Sequence, residues 1–190
     1  MAGRTSRRRL SFWEVFTRTG DLSSNSRVST ITDDPVVTTA QLAFAVRLKD
    51  SADVSETTKN AQAIAKAWRA AVHDLDPDRF QIEAMVAPEL DQRLDVVDTE
   101  TACAYEFKVS GKNAWAEFYK DVVKVLMWNQ RRKTKLKTLV FITEEKYGRP
   151  FLDAPMPRAY IKYLAEGGVN VHVVYVQHES ADKTQVKTKT

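Results

Sequence analysis

Two short runs constrain this chain more than anything else in it. Thr138–Thr143 (Thr-Leu-Val-Phe-Ile-Thr) and Val169–Val176 (Val-Asn-Val-His-Val-Val-Tyr-Val) are apolar nearly throughout. Short runs of this kind read as strands, and strands that lack a polar side belong where both faces of a sheet are covered. The segments around them supply the cover. Asp53 or Ser55 can cap a helix from Glu56 to about His73, with Ala61, Ile64, Ala65, Trp68 and Val72 on one face. Phe80–Val86, Arg93–Asp98 and Ala102–Val109 read as three strands, the last two parted by Thr99-Glu100. Asn113–Arg131 is an amphipathic helix whose expected buried stripe is Trp115, Phe118, Val122, Val125, Leu126 and Asn129. A Pro-rich loop is expected after Thr143, and Pro157 suits the first turn of a helix ending at Gly167-Gly168. The order from Glu56 is αβββαβαβ. A three-strand meander followed by βαβ crossovers implies an α/β fold: a mixed β-sheet flanked by helices on both faces.

Residues 51–178 form the expected core, 1–50 an N-terminal extension and 179–190 a tail. The extension opens with a basic stretch, Arg4, Arg7, Arg8 and Arg9, expected to stay disordered until it meets something acidic. Ser11 and Glu14 fit a capping box for a short helix to about Arg18. Asp33-Asp34-Pro35 is a turn signal. From Gln41, Leu42, Phe44, Val46 and Leu48 alternate with Ala43, Ala45 and Arg47; this favours a strand, although the alanines permit a helix.

At 190 residues and 43% hydrophobic, the chain fits one domain with a real core. Its 29 basic against 25 acidic residues leave a charge of +4, which suits a polyanion without demanding one. A single cysteine, Cys103, excludes an intramolecular disulfide and points to a reducing compartment. No apolar run reaches the ~18–20 residues of a membrane span, and the basic start lacks the long apolar stretch of a signal peptide. The expected location is the cytoplasm. Three dispersed histidines and one cysteine make a zinc site a poor fit.

The chemistry lies on the hairpin. With a loop centred on Thr99-Glu100, Asp95 lies opposite Ala104 and Leu94 opposite Tyr105. One face then carries Leu94, Val96, Cys103, Tyr105, Phe107 and Val109; the other carries Asp95, Ala102, Ala104, Glu106 and Lys108. Two carboxylates on adjacent strands repel unless a cation lies between them. Mg²⁺ accepts one or two carboxylates together with waters and phosphate oxygens. Lys108 points the same way and can reach a phosphate, so the set suits phosphodiester hydrolysis. A second acid-x-Lys triplet, Glu144-Glu145-Lys146, has no aspartate partner on a hairpin and reads as a solvated loop.

Asp95-x10-Glu106-Phe-Lys108, on a hairpin between two helices, resembles the PD-(D/E)XK nuclease superfamily, with the restriction-endonuclease-like core as the implied fold. The resemblance covers about residues 53–176, and Leu94 stands where the motif's proline would be. It implies that Asp95 and Glu106 bind metal with the main-chain carbonyl of Phe107, and that Lys108 positions or deprotonates the attacking water. It also implies a further acidic group, Glu56 or its rival Glu83. The helix after the motif would line the substrate cleft, so Lys112, Lys120, Lys124, Arg131, Arg132 and Lys133 become DNA contacts; Arg7, Arg8 and Arg9 join them on the charge of the basic tail alone. The expected function is a Mg²⁺-dependent DNA endonuclease (Mn²⁺ substituting), a restriction or other prokaryotic defence enzyme, working as a homodimer for double-strand cleavage. Alternatives are a repair, recombination or transposon-end nuclease with partners, and a catalytically silent nucleic-acid-binding module.

Overall fold

The computed structural model describes residues 33–50, 58–109 and 114–177. The elements are α1 (Pro35–Asp50), α2 (Thr58–Leu75), β1 (Phe80–Ala87), β2 (Gln92–Asp98), β3 (Cys103–Lys108), α3 (Ala114–Arg131), β4 (Thr138–Glu144), α4 (Glu145–Asp153), α5 (Pro155–Glu166) and β5 (Asn170–Val176). One five-stranded sheet runs in the order β1-β2-β3-β4-β5. The first three strands are an antiparallel meander, while β3, β4 and β5 run parallel. The mixed α/β sheet expected from the sequence is therefore present. Among the described residues, no helix is long and apolar enough to cross a membrane.

Each sheet face has its own core. On one, Val36, Ala40 and Phe44 of α1 and Ile64, Trp68 and Val72 of α2 cover Val96, Tyr105, Phe107, Val140 and Ile142. On the other, Phe118, Val122, Val125 and Trp128 of α3, with Phe151 and Leu164, cover Ala104, Leu139 and Phe141. This is why the Leu139–Ile142 run has no polar side: its alternate residues enter different cores.

The strand expected from Gln41 is instead part of helix α1. Asp34 caps it, accepting the Val36 amide at 2.8 Å, and Pro35 occupies the first turn, where its missing N–H costs nothing. The apparent alternation was misleading, since Leu42 and Val46 are 59% and 60% exposed while the stripe Val36, Ala40, Phe44 is buried. Trp68 locks α2 to α1 by donating its Nε1 proton to the Val36 carbonyl at 3.1 Å.

Three other expectations change. The Pro-rich loop is mostly helix: α4 carries Pro150 within it and α5 starts at Pro155. The α3 stripe is rotated, with Trp115 and Leu126 each 42% exposed and Trp128 buried, its Nε1 donating to the Thr134 carbonyl. Glu144-Glu145-Lys146 is not a solvated loop, because Glu144 ends β4 at 1% exposure beside Lys146, and Glu145 opens α4. The short helix from Ser11 and the basic tail lie outside the described residues.

A kink in β1 also changes the hairpin's faces. Glu83 has φ of 48°, in the left-handed region that a residue with a Cβ adopts only at a cost. Residues two apart on a regular strand share a face. Across this kink they do not: Ile82 packs in the core under α2 and Ala84 in the core under α3. Their ladder partners Val96 and Leu94 follow them. Leu94 thus leaves the apolar face assigned to it, and Asp95 sits at the crossover.

Candidate active site

Asp98 sets the hairpin. Its carboxylate accepts the amides of Glu100 and Thr101, the Thr101 hydroxyl and two N–H groups of Arg79. The loop runs to Ala102, which takes φ of 57°. The pairs are therefore Val96↔Tyr105, Val97↔Ala104 and Asp98↔Cys103, two residues displaced from the expected register. A displacement of two leaves the alternation of faces intact, so apart from Leu94, which the Glu83 kink moves, the expected faces hold and Asp95, Glu106 and Lys108 still converge.

Beyond Val96 the two strands are joined by side chains. The Asp95 amide donates to Glu106 Oε1 at 3.3 Å, and the Phe107 amide donates to Asp95 Oδ2 at 3.2 Å. Lys108 Nζ lies 3.1 Å from Glu106 Oε2 and 3.9 Å from Asp95 Oδ2.

Helix α3 completes the cluster. Glu117, Asp121 and Lys124 follow helical spacing, one position ahead of the apolar stripe Phe118, Val122, Val125. Asp121, absent from the sequence reading, is fully buried and lies 3.6 Å from Lys108 Nζ and 2.7 Å from Lys124 Nζ. Lys124 Nζ is also 3.1 Å from Glu106 Oε1, so each oxygen of the buried Glu106 carboxylate has its own lysine. The signal is the i, i+4, i+7 spacing of Glu117, Asp121 and Lys124; Lys124, expected as a DNA contact, is instead half-buried and paired with Glu106 and Asp121.

These groups shift one another strongly. Burial pushes the Glu106 carboxyl well above its usual range, and repulsion from Asp121 and Asp95 adds to this, against Lys108 and Lys124. Burial likewise raises Asp121. Burial alone would lower Lys108 and Lys124, but Glu106 and Asp121 outweigh it and hold both ammonium groups charged. Burial would raise Glu117, yet its bond from Lys120 and the charges around it bring it below the ordinary value.

The remaining candidates are dispersed. Glu83 touches Arg69 at 3.3 Å, and Arg69 in turn touches Asp95 at 3.2 Å, so Glu83 is one guanidinium removed from the cluster. Lys120 is exposed and paired with Glu117 at 2.8 Å. Arg131 pairs with Glu89, and Arg132 donates to the Met85 carbonyl while lying over the Trp128 ring. These two arginines fasten the end of α3 to the β1 edge. Glu56, Lys112 and Arg7–Arg9 lie outside the described residues, and Lys133 is exposed past the end of α3. Cys103 is buried, its thiol pushed up to about 12 by burial, which leaves no thiolate for nucleophilic chemistry.

Among the described residues, no three His, Cys, Asp or Glu side chains close on one point tightly enough to hold an ion in this arrangement. Lysine ammonium groups stand between the carboxylates instead. The donor chemistry nevertheless fits a hard divalent ion, since Asp95, Glu106 and Asp121 all offer oxygen. No protein-family model, curated protein or solved structure matches the chain.

Proposed function

We propose that this chain is a Mg²⁺-dependent endonuclease of the PD-(D/E)XK type, hydrolysing DNA phosphodiester bonds. One observation carries the reading. Asp95 from one strand meets Glu106 and Lys108 from its antiparallel neighbour, with Lys108 Nζ within 4 Å of both carboxylates. Asp95 and Glu106 would hold the ion with the Phe107 main-chain carbonyl, and a bound Mg²⁺ supplies positive charge and a more acidic water. Lys108 then turns from the carboxylates toward the scissile phosphate, where it stabilises the charge that develops in the transition state. Lys124 stays against Glu106 and Asp121, so the buried acids keep a counter-charge when Lys108 departs. Phosphate contacts come from Lys120 and Lys133 and from the basic residues at 7–9 and 112. A homodimer cutting both strands, in bacterial defence, is the biological setting proposed for this chemistry; work with partner proteins in repair or transposition is its rival.

A second reading has its own support. Both Glu106 oxygens already have lysine partners, as in a closed charge cluster that only shapes a silent nucleic-acid-binding surface. Plasmid incubated with Mg²⁺, Mn²⁺, Ca²⁺ or excess EDTA separates the two. The nuclease cuts with Mg²⁺ or Mn²⁺ only, whereas the silent module binds DNA and never cuts. Undiminished cutting in EDTA would overturn the metal mechanism.

A further inference from the structure

The strained residue of β1 stands beside the site. Glu83 has φ of 48°, and its neighbours Ile82 and Ala84 pair with Val96 and Leu94, the residues flanking Asp95. A left-handed residue of this size inside a strand is strained and persists only where its surroundings hold it. Here the kink turns the Glu83 carboxylate toward Arg69 of α2, at 3.3 Å. The other arm of the same guanidinium reaches Asp95 Oδ1 at 3.2 Å. Arg69 is held firmly in turn. The preceding residue, Trp68, is fully buried, fixed by its bond to Val36 and an edge contact with the Phe107 ring, so the helix cannot rotate.

We infer that Arg69 is a positioning residue for Asp95, with Glu83 as its anchor; this rests on the metal-binding role proposed for Asp95. One arm of the guanidinium donates to Asp95 Oδ1 at 3.2 Å, and the Phe107 amide donates to Oδ2 at 3.2 Å. Both oxygens are oriented before any ion arrives. The arrangement has an opposing electrostatic side, because a cation at Asp95 also repels an incoming ion. The sign of a substitution therefore decides between orientation and plain charge: if Arg69 only neutralises Asp95, its removal tightens metal binding.

The test is Mn²⁺ titration of the full chain by calorimetry, with metal-free melting as the folding control. Partners that orient a metal-binding carboxylate typically contribute 10–100-fold in affinity, so Arg69→Met should weaken Mn²⁺ by about that factor. Glu83→Gln, which keeps an acceptor for Arg69, should stay near wild type. Glu83→Asn tolerates the left-handed backbone but is too short to reach, and should lose part of the affinity while melting normally. Arg69→Met or Glu83→Asn binding as tightly as wild type, or more tightly, overturns the inference and leaves the proposed function standing. If Arg69→Met fails to fold, Glu83→Asn decides by the same measure. A wild-type chain that takes up no Mn²⁺ removes both the metal reading and the inference.

Discussion

Asp98→Asn should destabilise the protein by about 2 kcal/mol, and the cost should vanish in acid. The wild-type carboxylate is fully buried and receives Arg79 Nη2 at 2.7 Å, Arg79 Nε at 3.1 Å and the Thr101 hydroxyl at 2.7 Å. It also receives the amides of Glu100 and Thr101 at 2.9 and 3.2 Å. Asparagine keeps one carbonyl oxygen for those amides but loses the charge facing Arg79. A hydrogen bond to a charged group contributes about 1.5–3 kcal/mol, and Arg79, 30% exposed, recovers some of this from water. Roughly 2 kcal/mol remains, a fall of about 4–8 °C in Tm for a domain of this size. Asp98→Ala also strips the acceptor from the two loop amides and should cost about 1–2 kcal/mol more. Burial alone would raise the Asp98 carboxyl, but Arg79, Thr101 and the loop amides outweigh it and hold it below the usual aspartate range. A depressed acid stabilises the fold above its unfolded pKa and loses that contribution as pH falls through its folded one. The gap between wild type and Asp98→Asn should therefore be flat from neutral pH down to about pH 5, then close below about pH 4. Urea unfolding of both proteins at several pH values measures this. An equal gap at about pH 3 and at neutrality would falsify the assignment of the stabilisation to the carboxylate charge.

Lys108→Ala should abolish cutting while leaving metal and DNA binding largely intact, whereas Lys146→Ala should cut like wild type; plasmid assays that return the reverse condemn the choice of triplet. Asp95→Asn should lose Mn²⁺ affinity as well as cutting, because the amide keeps the shape and drops the anionic ligand. Phe44→Ala should cost about 3–5 kcal/mol and Val46→Lys almost nothing, and comparable losses from both would count against a helical α1. Removing residues 1–9 should flatten the salt dependence of DNA affinity, since each phosphate contact releases counterions; an unchanged slope makes that stretch a bystander.

The core helices and strands were legible because their periodicity is strong: Ile64, Trp68 and Val72 mark α2, and the apolar runs mark β4 and β5. The failures have separate physical causes. In α1, alternating alanines and large apolar residues satisfy both periods, and the cap at Asp34 resolves the ambiguity. In the hairpin, the register depends on which oxygen acceptors Asp98 offers its loop, and no hydrophobic pattern encodes that. The face of Leu94 depends on one left-handed residue across the ladder, Glu83. Asp121 went unseen because a buried acid on a helix needs buried cations beside it, and Lys124 is recognisable as buried only once α3 is laid on the sheet. Asp95, Glu106 and Lys108 come together as the alternation predicts, because alternation tolerates a two-residue displacement.

The carboxylates and lysines of the cluster come from one uninterrupted stretch, Asp95 to Lys124, while α1 and α2 return from far upstream to cover the opposite face. Contacts between near neighbours in sequence close early and cheaply, whereas remote cover closes late. The charged cluster can thus assemble around its hairpin before α1 docks, and Trp68 is the clasp that ends the process. In amide exchange, α1 should open well below the global unfolding energy, with β3 and β4 the last to exchange. A protein built this way can loosen α1 without dismantling the hairpin that carries its acids.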